Sequence, residues 1–378
     1  MRPIQHDTVL PEHVFDRDLR LDACRGIALW FVFLNHIPGN ICSWLTLSRY
    51  GFSDTTEIFM FVSGATCALA YGRIVHQHGW WAAVSHTLRR GWEIYLAFLT
   101  LIIAIVIAVY LSGNDDFIDQ TNIRFLLQQP GAAFAHAAIL QYRPVNTDVL
   151  PTFIVLHLLF APLLWLLFRA PDGALVASLL LYVLVHLFGW NLPQWPQDEW
   201  YFNPFAWQFL VVLGAWWVTS GRERLGSMVV SRTAVILATV YLLAALFVAL
   251  GWAIKPLGAN VPQPVADLIY PIDKSNLDPL RLLHFLAIAV LIARFVPAGW
   301  GRLANPLLRG AIRCGENSLE IYCIGVLLSL GAHMLLTQVG DSVAAQIGLS
   351  IAGVMTLTGL ATWSTWIGKR SRQHPRLF

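Results

Sequence analysis

Runs of roughly 20 consecutive apolar residues recur along almost the whole chain, each long enough to cross about 30 Å of hydrocarbon as a helix. They predict about ten transmembrane helices, near residues 21–41, 52–72, 93–112, 148–169, 173–190, 203–220, 232–253, 279–298, 316–337 and 342–367. The apolar stretch from Gly131 to Gln141 is too short to span, and an interfacial or re-entrant helix is expected there. The expected fold is all-α and polytopic: an N-terminal segment 1–20, a transmembrane domain 21–368 and a basic tail 369–378. The two halves show no matching pair of broken helices, the mark of an inverted-repeat transporter.

Composition agrees with this pattern. Of the 378 residues, 57% are hydrophobic and only 12% charged, against about 25% charged in a soluble domain. Tryptophans cluster at the ends of the apolar runs, as an interfacial aromatic belt requires. The net charge of +3 is carried in short connecting loops, with no interleaved basic and aromatic face for nucleic acid. Residues 1–20 are polar and lack the apolar core of a signal peptide, so the first span itself is expected to direct insertion. The cysteines have no CxxC spacing and mostly sit in apolar runs, which argues against a disulfide framework or a metal site.

Loop charge sets the expected orientation. With a cytoplasmic N-terminus, one side collects Arg73, Arg89, Arg90, Arg169, Arg222, Arg224, Arg232, Arg294, Arg302, Arg309, Arg313 and the tail. The other side holds only Arg49, Arg124, Arg143, Lys255, Lys274 and, at a span end, Arg281. The positive-inside rule then puts both termini in the cytoplasm, as an even number of spans demands. The external loops 113–147, 191–203 and 254–278 are rich in Trp, Asn, Asp, Gln and Pro, a composition suited to gripping a sugar. Asn35, Asn40, Asn146, Asp148, Trp195 and Trp200 are the candidate acceptor-binding residues on that side.

The first span, LRLDACRGIALWFVFLNHIPGN, contains Asp22, Arg25, Asn35 and His36. Ionisable residues at such depth are costly and usually face a bundle interior or a pathway. From Arg25 to His36 the helix turns about 1100°, close to three full turns, and rises about 16 Å. The two side chains therefore share one face, Arg25 toward the cytoplasm and His36 toward the outside, with Asp22 placed to pair with Arg25. In the second span, Asp54 and Glu57 lie on one face at about the depth of His36. A carboxylate beside a histidine fixes its tautomer and raises its basicity, as a general base needs. Ser63 and Gly64 lie deeper, where small residues permit close helix contact or a narrow tunnel. Asn317, Ser318 and Glu320 fit interhelical hydrogen bonding or function equally well. His157, His186, His284 and His333 stand singly in apolar runs and are expected to be satisfied core histidines. His13 and Asp18 imitate an HxxxxD spacing, but in a polar segment without a supporting motif.

Arg25, ten residues, His36 and then FMFVSG at 59–64 resemble the acyltransferase-3 superfamily of membrane O-acyltransferases. The strings LRLDACRGIALWFVFLNHIPGN, FSDTTEIFMFVSGA, QYRPVNTDVLP and NSLEIYCIGVLLSL look closer still to the OpgC family. Gly325, where many superfamily members carry a histidine, fits that branch. The resemblance spans roughly 18–368 and implies succinylation of osmoregulated periplasmic glucans at a bacterial inner membrane. Succinyl-CoA or another acyl-CoA would be the donor substrate, with no permanently bound cofactor. It implies His36 as general base, Asp54 or Glu57 as its orienting carboxylate, and Arg25 on the donor's carbonyl or succinyl end. Ser63 would line the donor path, and Arg73, Arg89, Arg90, Arg309 and Arg313 would meet the CoA phosphates. Two other readings stay open: a transporter or channel for a glycan or small anion, and an acyltransferase acting on a lipid-linked or cell-wall sugar.

The charge bias has a direct test. Reporter fusions after residues 122 and 265 should read as external, and one after residue 82 as internal. A cytoplasmic signal at 122 or 265 breaks the orientation and moves His36 to the wrong side.

Overall fold

The computed structural model describes residues 18–253, 263–297 and 300–373. His13, Lys255, nearly all of the segment 1–20 and the end of the basic tail lie outside the described residues. The described chain is almost entirely helical; its one sheet is a two-stranded hairpin, Pro193–Gln194 with Asp198–Glu199.

Every apolar run predicted as a span is helical. Among the described residues, six helices are long and apolar enough to cross a membrane. These are α2 (Thr55–His78), α3 (Trp80–Ser112), α9 (Pro171–Phe188), α12 (Arg232–Ala253), α16 (Ser318–Val339) and α17 (Val343–Gln373). The pair α7 (Val149–Leu158) and α8 (Phe160–Arg169) is bent by 53° and makes a seventh if taken as one broken span. The three remaining predicted spans are α1 (Leu19–Asn35), α10 (Pro204–Trp216, continued by a π-helical turn at Trp217–Gly221) and α14 (Pro279–Phe295). Helices α1 and α14 begin at side-chain caps on Asp18 and Asp278, and α10 runs on without a break through its π-helical turn into Arg222–Val229. The protein is thus a multi-pass α-helical membrane protein.

Two elements differ from the sequence expectation. Helix α3 starts at Trp80 rather than near residue 93. It opens on the apolar Trp80–Val84, but Ser85, His86, Thr87, Arg89 and Arg90 then lower the hydropathy; Glu93 pairs with Arg89 at 3.1 Å and Arg90 at 3.0 Å, one helical turn away. The stretch 113–147 is no plain loop. It carries α4 (Asp116–Gln120), α5 (Arg124–Gln128) and α6 (Pro130–Ala138), the last coinciding with the predicted short helix. Helices α11 (Arg222–Val229) and α13 (Gln263–Ile269) are connectors, and α15 (Pro306–Glu316) is an additional helix packed along α1.

Backbone proximity assembles the centre. A Cβ on Gly26 of α1 would stand 1.7 Å from the Ala311 carbonyl oxygen, and one on Gly315 of α15 would stand 2.0 Å from that of Asp22. The same reciprocity joins α2 to α10: a Cβ on Gly64 would stand 1.9 Å from the Val211 carbonyl oxygen, and one on Gly214 would stand 2.0 Å from that of Phe61. In lipid, helices gain little from hydrophobicity and associate through such close packing. The close contact expected at Gly64 is therefore present, and it fixes α2 against α10. Asp18 caps α1 by accepting from the Arg20 amide at 3.0 Å, which accounts for it without an HxxxxD role. Asn317, between α15 and α16, donates to Thr365 at 2.9 Å and accepts from Ser364 at 3.0 Å. It thereby ties α16 to α17 by interhelical bonds.

Gly64→Ala should lower the melting temperature of the detergent-solubilised protein, because forcing α2 from α10 costs about 1–3 kcal/mol. Gly331→Ala, in open space on α16, should leave it unchanged or raise it, since alanine is the better helix former. Equal melting of the two variants would refute the close-contact account.

Candidate functional site

Helix α1 ends at Asn35, and the amide of the next residue, His36, still donates to the Val32 carbonyl at 3.0 Å. Pro38 and Gly39, the latter with φ of 71°, then turn the chain away. His36 is left at the head of α1, in the wall of a cavity of about 1150 Å³. Several elements converge there. The start of α2 gives Asp54, Thr55, Thr56 and Phe59; the segment before α7 gives Arg143, Asn146 and Asp148; the hairpin region gives Gln194, Asp198, Glu199 and Trp200; the loop before α14 gives Lys274, Ser275 and Asn276; and α16 gives Tyr322. Asn35, Asn40 and Arg49 also line it.

A second cavity, of about 230 Å³, lies deeper between α1, α2, α3, α7 and α16. Arg25, Ser63, Thr66, Cys67, Arg90, His157 and Ser318 line it. Phe59, Val149 and Tyr322 line both cavities, so these three residues form the constriction between them. The Arg25 guanidinium turns inward onto α2, where it donates to the Thr66 hydroxyl, and that hydroxyl also donates to the Val62 carbonyl at 2.8 Å. Thr66 stands 12 residues along α2 from Asp54, about 18 Å of helix. The structure therefore places His36 and Arg25 in neighbouring cavities at two depths along α1.

The carboxylates behave differently from the expectation. Asp54 and Glu57 form a capping box: Asp54 accepts from the Thr56 amide at 2.8 Å, and Glu57 accepts from the Asp54 amide at 2.9 Å. Their remaining oxygens are taken by cations. Lys274 reaches Asp54 at 2.5 Å, and Arg281 of α14 reaches Glu57 at 2.6 Å and Asp54 at 3.3 Å. Among the described residues no hydrogen bond joins either carboxylate to His36. Glu57 is fully buried and lies outside the cavity wall, whereas Asp54 stands in it. Burial opposes the charge on Lys274, yet the adjoining Asp54 carboxylate holds its pKa above the ordinary lysine value.

Of the candidate acceptor residues, Asn35, Asn40, Asn146, Asp148 and Trp200 line the large cavity. Asn35 accepts from Thr46 at 2.8 Å, and Asn40 is committed to Leu34 and Ser350, at 3.2 and 3.1 Å. Asn146, with φ of 67°, offers its carbonyl to the Tyr322 hydroxyl at 2.7 Å. Trp195 is not in the wall; it stacks on His136 at 4.9 Å and packs against Phe125 and Tyr142. Of the basic residues assigned to CoA phosphates, Arg90 lines the small cavity. Arg89 pairs with Glu93 and Arg313 with Thr362. The single histidines all have partners: His157 with Phe153, His186 with Tyr182, His284 with Ser53 and His333 with Gln120. His157 nonetheless borders the small cavity, its Nε2 3.6 Å from the Cys67 sulfur.

Sequence reasoning missed Arg143, Lys274 and Arg281 as parts of the site, although the signal was present. They are three of the few cations that the positive-inside rule leaves on the external side, and such exceptions need a local anion. No curated protein and no solved structure matches this chain. Residues 17–369, nearly all of it, match the family described as OpgC protein. The chain belongs to the OpgC family.

Proposed function

We propose that the protein is a membrane O-acyltransferase that moves a succinyl or other short acyl group from cytoplasmic acyl-CoA to hydroxyls of a periplasmic glucan. The observation that carries this reading is the pair of neighbouring cavities with Phe59, Val149 and Tyr322 between them, His36 in the larger and Arg25 in the smaller. Family membership supports glucan modification as its setting. The topology that goes with it has ten spans, both termini cytoplasmic and the large cavity open to the periplasm, in a bacterial inner membrane.

In this mechanism the glucan enters the large cavity and the donor's pantetheine arm enters through the small one. His36 takes the proton of a sugar hydroxyl as its oxygen attacks the thioester carbonyl carbon. The carbon–sulfur bond breaks, the imidazolium returns the proton to the leaving thiolate, and the products are a glucan ester and free CoA thiol. Such general-base assistance is usually worth about 10²–10⁴ in rate. Arg25, about 16 Å along α1 from His36, lines the small cavity and holds the donor's arm there, a task its guanidinium fork suits. Asp54 biases the field at His36 from across the cavity, and Glu57 serves by holding Asp54 in place. Ser63 borders the arm's path, and Arg90 stands nearest for the donor's anionic end, with Arg73, Arg89, Arg309 and Arg313 at the outer approach. Asn35 and Asn146 offer sugar contacts.

His36→Ala should abolish glycan acylation, by at least about 10²-fold, with little change in detergent-solubilised melting. Activity above about a tenth of wild type would remove His36 from the general-base role. Arg25→Lys should be severely impaired despite keeping the charge, because lysine offers a point charge in place of a planar fork. Donor KM and kcat should be measured separately, since a lost transition-state contact lowers kcat and a lost ground-state contact raises KM. Near-normal values of both would reduce Arg25 to a topology signal.

A further inference from the structure

Four buried side-chain nitrogens belonging to residues of the large cavity have no hydrogen-bond partner among the described residues: Arg143 Nη1 and Nη2, Trp200 Nε1 and His36 Nδ1. His36 is accounted for by proton transfer. The other three are obligate donors, and they occur together, since the Arg143 guanidinium lies over the Trp200 ring at 5.5 Å. A buried donor without an acceptor is costly, so three around one cavity call for a ligand with lone pairs.

The other cations of this wall are occupied or exposed. Lys274 is held by Asp54 at 2.5 Å, and Arg49 is exposed and turned onto Ser43 at 3.0 Å. Arg143 is 1% exposed, and its Nε is anchored to Asp148 at 2.8 Å. Anchoring through Nε leaves the two Nη groups without a partner, and the Trp200 ring lies beneath the guanidinium. A carboxylate matches it: two acceptor oxygens for two parallel donors, with lone pairs left for Trp200 Nε1.

We propose that Arg143 and Trp200 form a carboxylate subsite that receives the far end of a dicarboxylic acyl group while its thioester carbonyl faces His36. The proposal rests on the acyl-transfer reading above and assigns the acyl selectivity to this pair. A dicarboxylic chain places its second carboxylate a short distance beyond the reacting carbon, within the same cavity. An uncharged acyl chain of equal length leaves the buried donors unpaired and is rejected for that reason.

The test is a donor competition with the full-length protein in detergent, using an uncharged oligoglucoside as acceptor. Succinyl-CoA is compared with butyryl-CoA, which has the same chain length and no carboxylate, and the ratio of their kcat/KM values is read. A ratio within one preparation is independent of the fraction folded and of any shared effect on the acceptor. Wild type should prefer succinyl-CoA, and Arg143→Gln should cut the ratio at least about tenfold, as expected for loss of a charge-assisted pair. Trp200→Phe keeps an aromatic ring beneath the guanidinium but loses the nitrogen-bearing five-membered ring and with it Nε1–H, so it should cut the ratio by a smaller factor. It decides the matter if Arg143→Gln does not fold. An unchanged ratio, or equal losses with both donors, would overturn the subsite and make the pair an acceptor or packing contact. No transfer from either donor by wild type would instead overturn the acyl-transfer reading, and this assignment with it.

Discussion

The buried ion-pair network at the head of α2 is the constraint on which the site depends. Glu57 is fully buried and Asp54 nearly so, in a bundle whose surroundings offer little water. Two such carboxylates are tolerable only if cations and hydrogen-bond donors meet them, because uncompensated charge at low dielectric is costly. Arg281 and Lys274 supply the cations, and the first turn of α2 supplies the amides. Removing one partner of such a pair is far more damaging than the pair is stabilising, so its contribution is best seen as fixing position. It draws α14 and the 270–278 loop onto α2. That loop is pinned in turn by the Ser275 carbonyl, which accepts from Trp207 Nε1 at 3.0 Å and the Asn203 amide at 3.1 Å. One wall of the large cavity is thus set by electrostatics at its foot.

This arrangement explains which features were legible in the sequence. Helical spacing placed Arg25 and His36 at two depths along α1, because that inference uses only the geometry of a single helix. Small residues at Gly64 marked a close contact for a similar reason: the residue type reports the absence of room. The partner of Glu57 was not legible. Its nearest cation, Arg281, is 224 residues away along the chain, and only the tertiary fold brings the two together. A histidine at equal depth looked like the natural neighbour of Asp54 and Glu57, yet both carboxylates were already committed to stronger partners. Span boundaries failed where charge interrupts a helix, as at Arg89, Arg90 and Glu93 of α3. Hydropathy reads lipid exposure and is blind to backbone continuity.

The cations follow a common logic once the fold is known. Each positive residue that the orientation rule leaves on the external side must find an anion or a solvated surface. Arg124 pairs with Asp119 at the exposed surface, Lys274 and Arg281 with the α2 carboxylates, and Arg143 with Asp148. Arg143 differs because its partner uses only one edge of the guanidinium. Composition could show that such residues were exceptional; only packing could show which of them kept unused donors.

The constriction between the cavities bears on the choice between transferase and transporter. A glycan carrier needs a chamber on each side large enough for a sugar chain, and a polar lining that replaces its hydration. Here the deeper cavity is about 230 Å³, a fifth of the outer one, and the shared residues Phe59, Val149 and Tyr322 are mostly apolar. The one polar group among them, the Tyr322 hydroxyl, is occupied by the Asn146 carbonyl. Such a constriction opposes the passage of ions and hydrated sugars, since stripping their water without replacement is expensive. It suits a slender, largely apolar arm that must present one reactive carbonyl at the far side and withdraw. The asymmetry of volume and polarity therefore favours chemistry at the junction over transport through it.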